Sequence, residues 1–295
     1  MRYTGGSHLP RRFVMAPDAS ALHHEALTHV ATTLHFFVPD DEKPKVLMAD
    51  DYTQENRRTG TFRDELVTIH NGRLADPAPA LEREGFELVE HISNVSNFYD
   101  KDQIAVVHYP EIIRFLKENA GATDVHIFDH TLRVQDTDKR NANDTRGPVP
   151  IVHNDYTEKS GPQRINDLLA ADRAEKFLSG RFALVNVWRS IGPDVQRLPL
   201  AVADARTMAA DDFVATDMVY SDRLGEIYQI AGNTNQRWSY FPNMNRDEVL
   251  LLKCFDSAHD GRARYTAHGA FEDPSVPVDT PPRESLEIRT LLSFA

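Results

Sequence analysis

One short run of the sequence combines two metal-binding side chain types at a useful spacing. Residues 152–157 read VHNDYT, so His153 precedes Asp155 by two positions. In an extended strand, residues i and i+2 share a face, and both side chains can reach one point. With a second histidine they would form a 2-His-1-carboxylate triad, which leaves positions open on Fe(II) for an oxoacid and O₂. The run predicts a non-haem iron site, and its alternative is a polar strand end.

The third ligand has to come from a different strand. The histidines that follow the run are His259 and His268. His259 lies in the turn-like sequence DSAHDG, whereas His268 lies in a strand-like run, residues 263–271. We therefore expect His153, Asp155 and His268 to be the catalytic metal ligands.

An R-x-S pair near the C-terminus fits the binding of a second carboxylate. Arg283 and Ser285 follow His268 by fifteen and seventeen residues, at the start of the last predicted strand. A guanidinium can bind the far carboxylate of 2-oxoglutarate bidentately, and the hydroxyl adds a donor. The alternative is a solvated strand face, because Glu287 and Arg289 alternate onto the same side.

Two further residues are candidates for cofactor or substrate binding. Asn186 shares a predicted strand face with Trp188 and could donate a hydrogen bond to the oxoacid or the substrate; the alternative is a core amide. Arg189 points to the other face or lies just past the strand, where it could hold a carboxylate or form a surface ion pair. The oxoacid clamp therefore stays open among Arg283, Arg189 and Arg289.

Several other classes of function are excluded or made improbable by what the sequence lacks. None of the fourteen glycines is separated from another by one residue, so the dinucleotide fingerprint and the G-x-S-x-G elbow are missing. The net charge of −12 disfavours nucleic acid and anionic membranes as partners. One cysteine and a start without an apolar stretch lead us to expect a cytoplasmic protein.

The apolar pattern predicts a fold that is mainly β with helices. Helices are expected at residues 111–119 and 163–179, and strands at 31–38 and 125–128. From residue 182 onward, short apolar runs alternate with turn residues, which is typical of a sandwich or barrel. We predict a poorly ordered segment at 1–30 and a single domain at 31–295. Its double-stranded β-helix (jelly-roll) core would be flanked by N-terminal helices, and the charged segment 134–150 would form a long lid-like loop.

Beyond these features, the sequence resembles the AsaB/CmcJ-like hydroxylase and desaturase family from about residue 33 to the C-terminus. The resemblance is carried, in order, by VHNDYT (152–157), NVWR (186–189), PLA (199–201), DAR (204–206), WSYFP (238–242), DEVLLLK (247–253), FDS (255–257), HGAF (268–271) and RESLEIR (283–289). Members of that family are non-haem iron, 2-oxoglutarate-dependent oxygenases of secondary metabolism. The resemblance supports His153, Asp155 and His268 as the metal ligands.

The sequence therefore predicts an Fe(II)- and 2-oxoglutarate-dependent oxygenase. It would use O₂ to attack an unactivated C–H bond of a small molecule by hydroxylation, desaturation or oxidative cyclisation, releasing succinate and CO₂. The alternatives are a cupin-like metal dioxygenase that uses no oxoacid and a catalytically silent jelly-roll binding or partner protein. A small-molecule substrate is expected, without nucleic acid or membrane partners, and a homodimer stays open.

Overall fold

The computed structural model describes residues 27–49 and 56–295, and strands dominate them. In chain order the strands are β1 (His29–Val38), β2 (Lys45–Leu47), β3 (Arg57–Arg58), β4 (Thr61–Asn71), β5 (Phe86–Glu90), β6 (Asp124–Val134), β7 (His153–Asn154), β8 (Phe182–Ser190), β9 (Leu200–Ala203), β10 (Phe213–Val219), β11 (Leu224–Ile230), β12 (Trp238–Tyr240), β13 (Glu248–Asp256), β14 (His268–Ala270) and β15 (Glu284–Ser293).

Within the described residues these strands form two sheets. The smaller has the order β5-β13-β8-β15-β6, and the larger has the order β1-β4-β12-β9-β14-β7-β11-β10-β2-β3. The chain changes sheet at each step from β6 to β9, and again at each step from β12 to β15. These eight strands form a double-stranded β-helix, so the predicted jelly-roll fold class is confirmed.

The core lies between the two sheets and continues beneath the helices. Leu184 and Trp188 of β8 face Leu200 and Val202 of β9 in one apolar cluster. The alternate residues of β8 pack away from this cluster. Because both faces are covered, all nine residues of β8 are buried, which explains why its sequence is almost continuously apolar.

Helices cover one face of the smaller sheet and one end of the roll. A helical turn at Lys101–Gln103 and a π-helical turn at Ile104–His108 lead into α1 (Tyr109–Asn119). The apolar stripe of α1 packs on the outer face of the smaller sheet. Later helices are α2 (Thr137–Ala142), α3 (Ser160–Leu168) and α4 (Ala171–Leu178), and apolar residues of α3 and α4 extend the core between the sheets.

The predicted elements agree with the structure best where the sequence is apolar. Strand β6 runs on to Val134, beyond the predicted residue 128, and the predicted loop 134–150 contains α2. No strand was predicted between residues 38 and 125, but this part of the chain contains β4, an eleven-residue strand paired with β1. Most of β4 is exposed or half-buried, so its polar sequence gives no apolar run to detect.

The predicted disorder of residues 1–30 falls mostly outside the described residues. Its last two residues, His29 and Val30, already belong to β1. No helix in the described ranges is both long and apolar enough to cross a membrane.

Candidate metal centre

The three residues of the predicted triad meet where β7 lies beside β14. His153 begins β7, and Asp155 follows its last residue. His268 begins β14 and is the residue paired with His153 across the two strands. The ligand atoms of His153, Asp155 and His268 all lie within 4.8 Å of one another, and the two imidazole centroids are 4.6 Å apart. The structure thus brings together the three residues that the sequence selects.

Both imidazoles are held in the orientation that a metal site requires. Nδ1 of His153 lies 2.7 Å from the carbonyl oxygen of Ile151, and Nδ1 of His268 lies 2.9 Å from that of Thr266. A carbonyl can only accept, so each Nδ1 carries the proton and donates it. Each Nε2 is then left with a lone pair that can bind a cation, which is the usual outer arrangement around ligating histidines.

Asp155 is kept ionised by its neighbours. Asn186 Nδ2 donates to its Oδ2 at 2.7 Å, and Arg289 Nε lies 3.6 Å from the same oxygen. Burial alone would raise the pKa of this carboxyl, but the charges of Arg289, His268 and His153 and the hydrogen bond from Asn186 lower it well below its usual range. The site therefore offers a carboxylate rather than a carboxylic acid.

His153 is kept neutral for a different reason. Its burial, followed by the charge of His268, lowers its pKa to about 3, and the positive charge of Arg58 acts in the same direction. A neutral imidazole is the form that binds metals. The donor set is two imidazoles and one carboxylate, which suits Fe(II) and similar divalent ions.

His259 lies outside this cluster. Its side chain is 67% exposed, and its Nε2 lies 3.6 Å from Glu158. His259 therefore lies apart from His153 and Asp155, and His268 lies beside them.

Arg283 and Ser285 lie inside the roll, away from solvent. The guanidinium of Arg283 donates through Nη1 to the carbonyl of Leu198 and stacks over Trp188 at 5.4 Å. Its Nε is buried and has no hydrogen-bond partner. Burial, and then the positive charge of Arg133, lower the pKa of Arg283 to about 9. Ser285 Oγ lies 3.5 Å from the carbonyl oxygen of Arg133.

The sequence did not identify Arg133, which immediately precedes the predicted lid-like loop 134–150, as a residue of the site. It lies on β6 directly opposite Ser285 of β15, and its Nη1 donates to the carbonyl of Gly147 at 3.0 Å. Its side chain lines the same cavity as His153 and Asp155. An arginine five residues beyond the predicted strand 125–128 carries no signal of its own, and only the strand pairing reveals this position.

The remaining candidates divide between the two faces of β8. Asn186 reaches the cluster, as described above. Arg189 is buried on the opposite face, where its Nη2 donates to the carbonyl of His91 at 3.2 Å and its guanidinium lies 5.0 Å from the ring of Phe98. The structure does not bring Arg189 to the cluster.

A cavity of about 1310 Å³ opens over His153 and Asp155. Its walls come from β2, β3, β10, β11, the segment 140–151 and α3. The volume exceeds the roughly 300–1,000 Å³ typical of pockets for drug-sized ligands. Fold and donor set define a jelly-roll protein with a candidate non-haem metal centre beneath a large cavity.

Comparison with known proteins places this architecture in a family. A family profile described as "Oxidoreductase/YMDC permease-like domain" matches residues 34–293. The chain is 31% identical over 253 residues to hydroxylase/desaturase efuI of Hormonema carpetanum, covering 78% of this chain and 84% of that protein. It is 32% identical over 241 residues to alpha-ketoglutarate-dependent dioxygenase phiK of Fungal sp. (strain ATCC 74256), covering 78% and 85%.

A solved structure is similar over nearly the whole fold. The iron and alpha-ketoglutarate-dependent endoperoxidase NvfI superposes with a TM-score of 0.80 at 26% identity, covering 91% of this chain and 99% of that chain. The chain belongs to the AsaB/CmcJ-like family of hydroxylases and desaturases that its sequence resembles.

Proposed function

We propose that this protein is an Fe(II)- and 2-oxoglutarate-dependent oxygenase in which His153, Asp155 and His268 hold the iron. The observation that carries the proposal is the convergence of their ligand atoms within 4.8 Å. The backbone carbonyls that fix both Nδ1 atoms support it, since they leave each Nε2 available. The names of the relatives supply the class of reaction and the cofactor pair.

We propose that Arg283 binds the distal carboxylate of 2-oxoglutarate, with Arg133 beside it and Ser285 as a further donor. The guanidinium of Arg283 is buried, its Nε is unsatisfied, and the positive charge of Arg133 is close to it. Burying two cations side by side costs free energy unless an anion binds between them. A dicarboxylic oxoacid bound at the metal would supply that anion. Arg189 is likewise buried with an unsatisfied Nε beside a second positive charge, that of Arg246, but it lies on the opposite face of β8, away from the candidate metal ligands.

When bound, iron and 2-oxoglutarate together activate O₂ for attack on a substrate C–H bond, with release of succinate and CO₂. The residues of the chain do the positioning. Asn186 and Arg289 fix the carboxylate of Asp155, and the backbone fixes both imidazoles. Whether the outcome is hydroxylation, desaturation or cyclisation depends on substrate placement to within about an ångström.

Metal binding and succinate formation test the function. Under anaerobic conditions, wild-type protein should bind one equivalent of Fe(II), and on addition of O₂ it should convert 2-oxoglutarate to succinate. His268→Ala should lose both properties, and His259→Ala should retain them because His259 is exposed and remote. Full activity in His268→Ala would overturn the ligand assignment. Substrate oxidation without succinate would favour a metal dioxygenase that uses no oxoacid, and absence of iron binding would favour a silent binding protein.

The oxoacid assignment has its own test. Arg283→Ala should weaken 2-oxoglutarate binding by roughly 30-fold to several-thousand-fold, the equivalent of about 2–5 kcal/mol for a buried charge-assisted pair. Fe(II) affinity should change little, because Arg283 is not a ligand. Arg189→Ala is the control. If Arg189→Ala abolishes 2-oxoglutarate binding while Arg283→Ala leaves it intact, the clamp is on β8.

We also propose that the substrate is a small organic molecule of secondary metabolism and that the protein acts in the cytoplasm. The net charge of −12 supports the exclusion of nucleic acid. Salt-sensitive binding to duplex DNA would contradict it.

A further inference from the structure

A row of side chains crosses four neighbouring strands on the wall of the cavity. Gly225 of β11 is paired with Met218 of β10, Met218 with Val46 of β2, and Val46 with Arg58 of β3. Directly paired residues project from the same face of a sheet, and all four of these residues line the cavity. Met218 and Val46 form an apolar floor of the cavity. Gly225 at one end of the row leaves space above it, and the guanidinium of Arg58 is at the other end.

Further apolar residues occur among the polar ones that line the rest of the cavity. Met48, Phe62, Ile151, Leu224 and Ile227 line the same cavity. An apolar surface of this kind suits a hydrophobic substrate body rather than the charged oxoacid.

Arg58 differs in its charged neighbours from Arg289, another arginine that lines this cavity. Arg289 is within ion-pair distance of Asp129, Asp155 and Glu287. In the described part of the chain, no carboxylate lies within ion-pair distance of Arg58, and the charged group that acts on it is another cation, Arg133. A half-buried guanidinium that faces a second positive charge is the usual environment of an anion-binding residue.

We propose that Arg58 binds a carboxylate carried by the organic substrate, whose apolar body lies on Met218 and Val46. The inference rests on the proposed function, because it assigns the second substrate of the same site. 2-Oxoglutarate does not need Arg58, since Arg283 and Arg133 stand beside each other deeper in the roll. The cavity of about 1310 Å³ also has room for a substrate larger than the oxoacid. The enzyme therefore selects hydrophobic organic acids.

Matched acids and amides test this assignment. Protein loaded anaerobically with Fe(II) and 2-oxoglutarate is titrated by calorimetry with three pairs of probes: benzoate and benzamide, 2-naphthoate and 2-naphthamide, octanoate and octanamide. In each pair the shape is nearly constant and the negative charge is removed. The wild type should prefer at least one acid to its amide by about 10- to 100-fold, the usual effect of a hydrogen-bonded charge. Arg58→Gln should abolish that preference, and Arg58→Lys should keep part of it because the charge remains.

Arg57→Gln is the matched control, because Arg57 is the exposed neighbour on the same edge strand and does not line the cavity. It should keep the wild-type preference. The proposal is wrong if the wild type prefers no acid of the panel, if Arg58→Gln keeps the preference, or if Arg57→Gln loses it equally. It is also wrong if Arg58→Gln weakens 2-oxoglutarate binding, since Arg58 would then serve the oxoacid. Failure of the wild type to bind Fe(II) and 2-oxoglutarate during loading would instead overturn the proposed function.

Discussion

At the scale of single residues, Asn186 connects the core of β8 to the candidate metal centre. Its amide donates to the Asp155 oxygen at 2.7 Å, and it is 1% exposed. Asn186→Ala should lower Fe(II) affinity by about 10- to 100-fold, as is usual when a group that orients a metal ligand is removed. A titration with Fe(II) would measure this. Asn166→Ala removes an exposed amide and should bind Fe(II) as the wild type does, and equal affinity in Asn186→Ala would contradict the role.

A second residue, His108, should make the fold sensitive to acid. It is fully buried, and burial, followed by the charge of Arg189, lowers its pKa to about 3 from an ordinary value of 6.5. Between these values the unfolded chain binds the extra proton, so stability falls as the pH falls from about 6.5 toward 3. The slope due to this group is about 1.4 kcal/mol per pH unit.

Urea unfolding from pH 7 to pH 5 measures that slope while staying above the ordinary pKa of carboxyl groups. His108→Gln should be less stable at pH 7 but should show a shallower fall in the free energy of unfolding. His259→Gln removes an exposed imidazole and should keep the wild-type slope. The same slope in His108→Gln and the wild type would show that His108 does not contribute to the acid sensitivity of the fold.

At the scale of elements, the segment 134–150 combines a short helix with the rim of the cavity. Lys139 of α2 forms an ion pair with Glu284 at 2.7 Å. Arg133 donates a hydrogen bond to the carbonyl of Gly147. Residues 143–151 line the cavity next to His153. We expect this segment to open and close over the site, as active-site loops often do.

Limited trypsin digestion measures the closure. Cleavage after Lys139, Arg140 or Arg146 should slow several-fold when Fe(II) and 2-oxoglutarate are added anaerobically. In Arg283→Ala the oxoacid should give little protection, because its distal carboxylate is no longer held. Equal cleavage rates with and without ligand in the wild type would exclude a lid.

The elements also show what a sequence can reveal of this protein. Strands β8, β13 and β15 were predictable because they are buried and therefore apolar. Strand β4 was not, because its pairing with β1 leaves polar side chains in solvent. Strand β10 likewise gives only a weak apolar signal in the sequence, because most of its residues are only half-buried.

The site divides in the same way. The triad was predictable because H-x-D is a local pattern and His268 was the histidine in a strand-like run. Arg58 and Arg133 were not, because their positions depend on pairings between distant parts of the chain: β6 pairs with β15, and β2, which carries β3 at its edge, pairs with β10. A lone arginine in a polar segment looks the same whether it lines a cavity or faces solvent.

At the scale of the whole molecule, the two sheets are joined beside the metal centre by Asn154. This residue lies between His153 and Asp155 and is completely buried. Its Nδ2 donates to the carbonyls of Tyr156 at 2.6 Å and of Cys254 at 2.9 Å. Cys254 belongs to β13 of the smaller sheet, whereas Asn154 belongs to the larger one. One amide therefore fixes both the distance between the sheets and the strand end that carries two predicted ligands.

Asn154→Ala should consequently reduce global stability and metal binding together. The backbone N–H of Thr266 donates to Asn154 Oδ1 at 3.3 Å. The substitution removes the hydrogen-bond partner of this N–H and of the buried carbonyls of Tyr156 and Cys254. Each unsatisfied buried group costs about 1–3 kcal/mol, so the free energy of unfolding should fall by about 3 kcal/mol or more in a urea titration. Fe(II) affinity should fall as well, because β7 loses its anchor on β13.

Asn119→Ala, which removes an exposed amide bonded only to the carbonyl of Phe115, should change neither quantity by more than about 0.5 kcal/mol. If Asn154→Ala unfolds at the wild-type urea concentration, the sheets are held together at this point by packing alone.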